Sequence, residues 1–177
     1  MKPVTIKVDK TDNGACKSIS EALGIANGYW GLPVEIKISA GLYRERLVIN
    51  QPFLSMVGQN SDNTIINFDH SALQILPDGI KRGTFRTATV LVDGEGFSAK
   101  GITFQNSAGP GDTAGQCIAV YVDAKRTRFE DCRFLGFQDT LFLAPLPEHE
   151  YEKGGFRGPK EHTERIMGYH YFINCYI

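Results

Sequence analysis

The 177-residue sequence predicts an all-β solenoid, a parallel β-helix closed at its amino-terminal end by one helix. Three observations lead there. Short β-type runs separated by turn-formers fill most of the chain. Helical periodicity occurs only once, near the start, which argues against alternating β-α units. Strand rhythms also recur at unequal spacing: Lys100-Gly101-Ile102-Thr103-Phe104 returns 30 positions on as Glu130-Asp131-Cys132-Arg133-Phe134, and Phe129-x-x-Cys132-x-Phe134 returns 43 positions on as Phe172-x-x-Cys175-x-Ile177. A sandwich or barrel shares the first two features. The repeats favour stacked coils, in which equivalent apolar residues form a continuous core and loops of variable length leave one face.

The helix is expected at Ser18 to Ala26. Ser18 and Glu21 have capping-box spacing, Ile19, Ala22, Leu23 and Ala26 share one face, and Asn27-Gly28 supplies a stop. Strands follow at Val34 to Ser39, Arg46 to Asn50, Leu54 to Gly58 and Thr64 to Phe68. Ala40-Gly41, Gln51-Pro52 and Gln59 to Asn63 read as the turns between them. Further strands are expected at Ala88 to Val92, Ala99 to Gln105, Cys117 to Val122 and Arg128 to Phe134. Pro145 to Gly168 breaks the pattern. With Pro145, Pro147, Gly154-Gly155 and Gly158-Pro159 among mixed charges, it reads as a long excursion from one coil.

The size suits one domain with a sizeable core, residues 1–177. Nineteen Lys+Arg against twenty Asp+Glu, with no basic block, argue against nucleic acid as a partner. No apolar segment after Met1 has the length of a signal peptide or membrane span, so no membrane partner is expected and the chain as written reads as soluble and cytoplasmic. Cys16, Cys117, Cys132 and Cys175 form no Cys-x-x-Cys pair and read as small buried apolar residues in a reducing compartment. His70, His149, His162 and His170 match no metal-ligand spacing and read as solvated loop histidines. Ser107 lacks the Gly-x-Ser-x-Gly setting of a serine esterase.

Gly136-Phe137-Gln138-Asp139-Thr140-Leu141 places a carboxylate beside an amide between apolar runs. Alone it is an ordinary turn. Two other stretches accompany it: Gly101-Ile102-Thr103-Phe104-Gln105-Asn106-Ser107-Ala108-Gly109-Pro110 and Gly115-Gln116-Cys117-Ile118-Ala119-Val120. With Gly41-Leu42-Tyr43-Arg44-Glu45 and Gly83-Thr84-Phe85-x-x-Ala88-Thr89-Val90, they resemble the pectin methylesterases (pectinesterases) in order, spacing and identity from about Val4 to the last residue.

The resemblance implies a right-handed parallel β-helix and hydrolysis of the methyl esters of homogalacturonan, releasing methanol without metal or organic cofactor. It implies that Asp139 is the general acid/base, that Gln138 and Gln116 stabilise the oxyanion of the tetrahedral intermediate, and that Thr84 contacts the polygalacturonate chain. Ordinary strand polarity is the alternative for Thr84, Gln116 and Tyr43. In the family, the strand resembling Tyr171 to Ile177 leads into a Gly-x-Val-Asp-Phe-Ile-Phe-Gly motif whose Asp is the covalent nucleophile. That motif, the Arg that orients the nucleophile and the aromatic residues lining the sugar groove would all lie past Ile177. The expectation is a β-helix domain incomplete at its carboxyl end, inactive or nearly so alone, and inclined to self-associate through its last coil. Family members commonly act outside the cell, so location stays open. Two rival readings are a non-catalytic β-helix module that binds acidic polysaccharide and a polysaccharide lyase on the same fold.

Overall fold

A computed structural model describes residues 2–177. Its fourteen strands run in the order β1 (Val4–Val8), β2 (Val34–Ile38), β3 (Gly41–Arg44), β4 (Leu47–Ile49), β5 (Leu54–Gly58), β6 (Thr64–Phe68), β7 (Val90–Val92), β8 (Phe97–Lys100), β9 (Thr103–Asn106), β10 (Val120–Val122), β11 (Arg126–Glu130), β12 (Arg133–Leu135), β13 (Leu141–Leu143) and β14 (Tyr169–Ile173). They make three sheets, ordered β1-β2-β5-β8-β11-β14, β4-β7-β10-β13 and β3-β6-β9-β12, and every strand pairing is parallel. Successive strands of one coil therefore fall on different sheets, and each coil lies on the one before: a parallel β-helix.

The repeat offsets are the registers of this stack. Lys100 pairs with Glu130 and Thr103 with Arg133; one coil later Phe129 pairs with Phe172, and Arg133 bridges to Tyr176. Because equivalent positions stack, so do their rings. Phe104 lies on Phe134 at 5.7 Å, and Phe129 on Phe172 at 5.2 Å with 7° between planes. Full burial of one such side chain contributes about 2–3 kcal/mol.

Two expected strands are corners. The runs at 99–105 and 128–134 each divide into a strand of the six-stranded sheet and one of the sheet ending in β12, because Gly101 (φ 63°) and Asp131 (φ 52°) adopt the left-handed conformation. Asn174 (φ 55°) repeats the corner one coil on and donates its side-chain amide to Asp131 at 2.8 Å. Gly101 N–H donates to the Glu130 carbonyl, so the bend is laddered as the strands are. Hydrophobic pattern alone cannot locate such a bend, since the apolar residues continue through it.

Helix α1 (Ile19–Ala26) buries Ile19, Ala22 and Ala26 against the first coil. Ser18 Oγ accepts from Glu21 N–H at 3.1 Å, but the Glu21 carboxylate returns to Lys17 N–H rather than to the cap residue. Glu45, from the next coil, accepts from the N–H groups of Ile19 and Ser20, satisfying donors that a helix start leaves free. Asn27-Gly28 does not stop the chain abruptly; a 3-10 turn continues over Asn27–Tyr29. Gly41, expected in a turn, begins β3, and β1, where Val4, Ile6 and Val8 alternate with Thr5 and Lys7, was not among the expected strands.

The segment from Pro145 to Gly168 has no strand or helix, as its composition predicts. Cys16, Cys117 and Cys132 are buried, Cys175 is half-buried, and all four are free. Two of the histidines correct the solvated-loop reading. His170 lies on β14, half-buried, with Nδ1 2.9 Å from Thr127 Oγ1, and burial pushes its pKa down. His70 is half-buried with its Nδ1 unpartnered, and burial followed by the charges of Arg82 and Arg46 lowers its pKa. Among the described residues no helix is long and apolar enough to cross a membrane.

Candidate active site

Three consecutive coils bring Thr84, Gln116, Gln138 and Asp139 to the amino ends of β7, β10 and β13. A 3-10 turn, Thr84–Arg86, precedes β7; Gly115-Gln116-Cys117 precedes β10; and Gly136 to Thr140 precedes β13. Their alignment comes from backbone ladders that extend beyond the strands. Cys117 N–H donates to the Gln138 carbonyl at 3.0 Å, Ala119 N–H to Thr140 at 2.8 Å, and Thr89 N–H to Ile118 at 3.1 Å. Gln116 therefore sits one residue from the position opposite Gln138.

The turn that carries Asp139 is tight. Asp139 has φ 57°, a left-handed conformation uncommon outside glycine but several-fold enriched in Asp and Asn. A Cβ placed on Gly136 would meet Thr140 Oγ1 at 2.6 Å, so only glycine fits there without displacing Thr140. The turn projects Phe137, Gln138 and Asp139 into solvent, with the Phe137 ring 62% exposed. Asp139 also lies near enough to Cys117 that its charge reinforces the burial that raises that thiol's pKa.

Gln138, though exposed, is flanked on one side. Helix α2 (Gly111–Ala114) begins against its amide, and a Cβ on Gly111 would lie 2.0 Å from Gln138 Oε1. Glycine at 111 is thus the space that the Gln138 side chain occupies. Sequence reasoning missed this role, although Gly111 directly follows the motif stretch that ends at Gly109-Pro110.

Beneath these side chains lies a buried polar network. Asn106 Nδ2 is 3.2 Å from the carbonyls of His70, Thr87 and Ile118, and its Oδ1 accepts from Ala108 N–H. Thr87 Oγ1 accepts from Ile118 N–H at 2.9 Å and donates to the Thr84 carbonyl at 2.6 Å. Asn106 is 1% exposed and Thr87 fully buried, so this network fixes the Thr84 turn against the coil that bears Gln116. Asn106 lay within a quoted motif, but no spacing rule distinguishes a buried bracket from a surface amide.

Thr84 and Gln116 share the wall of a cleft of about 340 Å³ with Arg82, Arg86 and part of the excursion, Glu152 to Gly155 and Arg157. Gln138 and Asp139 are not in that wall; they stand on the coil beyond Gln116. A second depression, about 370 Å³, lies among Lys7, Asp9, Lys37 and Gln59 at the carboxyl ends of β1, β2 and β5, on another sheet. It contains none of the motif residues. Among the described residues, no three His, Cys, Asp or Glu side chains converge as a metal cage.

The arrangement suits acyl chemistry in outline: a solvent-facing carboxylate, two amides on adjacent coils and a cleft leading away from them. Comparison with known proteins agrees in fold and sequence. The pectin methylesterase from carrot superposes over 99% of this chain and 46% of its own length, with a TM-score of 0.71 and 29% identity. A pectin methylesterase solved in complex with a hexasaccharide superposes over 81% of this chain and 46% of its own, at TM-score 0.74 and 27% identity. The fold is thus the right-handed parallel β-helix of carbohydrate-acting esterases. The family model described as Pectinesterase matches residues 5–148, and the chain belongs to the pectinesterase family. Pectinesterase QRT1 of Arabidopsis thaliana is 30% identical over 97% of this chain, which spans 41% of that relative's length and about half that of the solved structures.

Proposed function

We propose that residues 1–177 carry the acid/base and oxyanion half of a pectinesterase site acting on the methyl esters of homogalacturonan. The observation that carries this reading is the placement of Gln116 and Gln138-Asp139 on adjacent coils, joined by the Cys117–Gln138 backbone bond. Family membership and a solved relative in complex with a hexasaccharide support it. Gln116 and Gln138 donate to the carbonyl oxygen as a carboxylate nucleophile attacks the ester carbon. Asp139 gives its proton to the departing methoxide oxygen, releasing methanol. It then takes a proton from the water that cleaves the acyl-enzyme, which returns the nucleophile and leaves a free galacturonate. By family resemblance the nucleophile belongs to the strand after Ile177. The 177-residue polypeptide by itself therefore binds substrate and turns it over at background rate.

Methanol release from methyl-esterified pectin and binding of oligogalacturonides, measured on one preparation, test this. Binding with background methanol is expected, and Asp139→Asn changes affinity by less than about twofold, since acid/base work requires no ground-state contact. Sustained methanol release by residues 1–177 contradicts the half-site; no binding of any galacturonide contradicts the pectin reading. Metal-dependent unsaturated products point instead to a lyase. The exposed rings of Tyr169, Tyr171 and Tyr176 support self-association through the β14 coil, which sedimentation reads directly.

A further inference from the structure

Two turns of the first coils present apolar side chains to solvent. Trp30 is 61% exposed and Leu32 42% in the turn before β2, and Phe53 is 46% exposed in the corner before β5. The turns are joined. Val34 N–H donates to the Phe53 carbonyl at 3.2 Å, and the buried Gln51 amide donates to the Tyr29 carbonyl at 3.1 Å. Both turns also come from the longest uncharged runs in a chain that is 22% charged, residues 22–34 and 47–61. Beside them Glu95, whose carbonyl accepts from Phe53 N–H, is neutralised by Arg126 at 2.6 Å. The two turns thus make an apolar face with no charge of its own.

Phe53 holds its corner against the preference of the backbone. Its φ of 56° lies in the left-handed region, an outlier for a bulky side chain. The register of β5 with β8 sets Gly96 opposite it one coil on, in the same region at φ 72°. Glycine takes that bend freely. In the earlier coil the bend carries a ring instead, and Gly96 leaves the room for it, since an added Cβ there would meet Phe53 Cδ1 at 2.9 Å. Folding alone would be served by glycine at 53 as it is at 96. A strained backbone kept beneath a solvent-facing ring is the mark of a functional position.

Size and charge select the occupant. Trp30, Leu32 and Phe53 together expose on the order of 300 Å², short of the roughly 800 Å² that each partner of a stable dimer buries. An uncharged face offers a polyanion nothing, but it suits a linear sugar polymer whose carboxylates are masked as methyl esters. We propose that Trp30, Leu32 and Phe53 form an anchoring platform for esterified stretches of homogalacturonan, separate from the galacturonide site. The inference rests on the pectin reading above and adds a second contact for the same polymer. The platform lies at the amino ends of β2 and β5, whereas Thr84, Gln116 and Asp139 precede β7, β10 and β13 on another sheet, so the two share no residue. A polymer held at the platform keeps its other esters at high effective concentration near the site.

Trp30 is the only tryptophan, so the fluorescence of the unsubstituted chain reports the platform directly. Fully methyl-esterified hexagalacturonate is expected to change its emission saturably, at concentrations above those that saturate the deeper galacturonide site. That affinity should hold within about twofold from low salt to about 0.5 M, because no ion pair forms. Unesterified hexagalacturonate is expected to bind the platform at least about fivefold more weakly, since its carboxylates would lose water without gaining a partner. Phe53→Gly should weaken binding of the esterified hexamer by at least about fivefold. Its melting should move by less than about 4 °C, since relief of the bend offsets the freedom glycine adds to the unfolded chain.

Emission that ignores the esterified hexamer while the amides of Gln116 and Asp139 shift overturns the platform and leaves the pectin reading standing. Silence at both places overturns both. Equal affinity for the unesterified hexamer, or for cellohexaose, overturns the assignment to esterified pectin. Emission that changes with protein concentration before sugar is added gives the face to a second copy and overturns it too. So does unchanged affinity in folded Phe53→Gly. The titration of the unsubstituted chain decides the matter even if that variant fails to fold.

Discussion

The stacked coils and the excursion are held by opposite means. In the coils, every strand is laddered to its neighbours and equivalent rings lie on one another, so each residue's support is repeated on the next turn. The excursion from Pro145 to Gly168 has no ladder. It depends on a few singular contacts: Phe156 on Phe85, Gly158 against the Phe85 backbone, Lys160 between Asp93 and Asp123, and Arg165 on the carbonyls of Lys160, Glu161 and Thr163. The first kind of support tolerates loss at one point poorly because the core is shared. The second localises damage, which allows the excursion to vary without risk to the fold.

Substitutions should separate the two regions, beginning with the greatest loss. Phe129→Ala empties the centre of a ring cluster that includes Phe97, Phe104, Phe134 and Phe172, and is expected to cost about 3–5 kcal/mol of global stability in chemical denaturation. Asn106→Ala strips a shared donor from three carbonyls and is expected to cost about 3 kcal/mol, with hydrogen exchange rising first around Thr87 and Ile118. If it instead loosens only surface turns, the buried bracket is not what aligns the site.

Lys160→Met should act on the excursion alone. Exchange protection over residues 145–168 falls and the melting of the coils barely moves; a global loss as large as that of Phe129→Ala contradicts the division. The variant also predicts a pH dependence. Burial raises the Asp123 pKa above the ordinary 3.8 despite the opposing charge of Lys160. A raised folded-state carboxylate is neutral at no cost below the unfolded pKa and loses stability as pH rises through the folded one. Without Lys160 that loss grows, so the difference in excursion protection between wild type and variant should widen as pH rises from about 4 to 7. The Lys160 pKa, lowered by burial but raised further by Asp93 and Asp123, stays above 10.5, so the amine remains charged across that range.

The smallest stability effect is expected at Gly111→Ala. The new methyl group collides with the movable end of Gln138, not with backbone, so melting should shift by less than about 1 kcal/mol while Gln138 swings away from its place. A crystal or NMR structure of the variant with Gln138 unmoved would show that glycine there serves another purpose.

How far the sequence discloses this molecule follows from the same contrast. The coils were legible because their order is periodic: the 30- and 43-residue rhythms are the pairing registers themselves. The corners were not, since Gly101 and Asp131 turn the chain by backbone conformation while the apolar pattern continues unbroken. Gln116, Gln138 and Asp139 were readable as motif residues, and the structure sets them on adjacent coils. The bracket of Asn106 and Thr87 that ties the Thr84 turn to the Gln116 coil, and the space at Gly111 that Gln138 fills, were not readable, because they depend on residues brought together from distant coils. The excursion was recognised by its lack of pattern. Its cationic contribution to the cleft became apparent only once Lys153 and Arg157 lay beside Arg82 and Arg86.

The central claim is that the amino ends of β7, β10 and β13 form the galacturonide site. Backbone amide shifts of the 177-residue chain, followed by NMR during titration with methyl-esterified hexagalacturonate, test it most directly. The account predicts saturable shifts concentrated at Thr84, Gln116, Gln138 and Asp139. Shifts confined to Lys7, Asp9, Lys37 and Gln59 at the other depression, or none at saturating sugar, would contradict it.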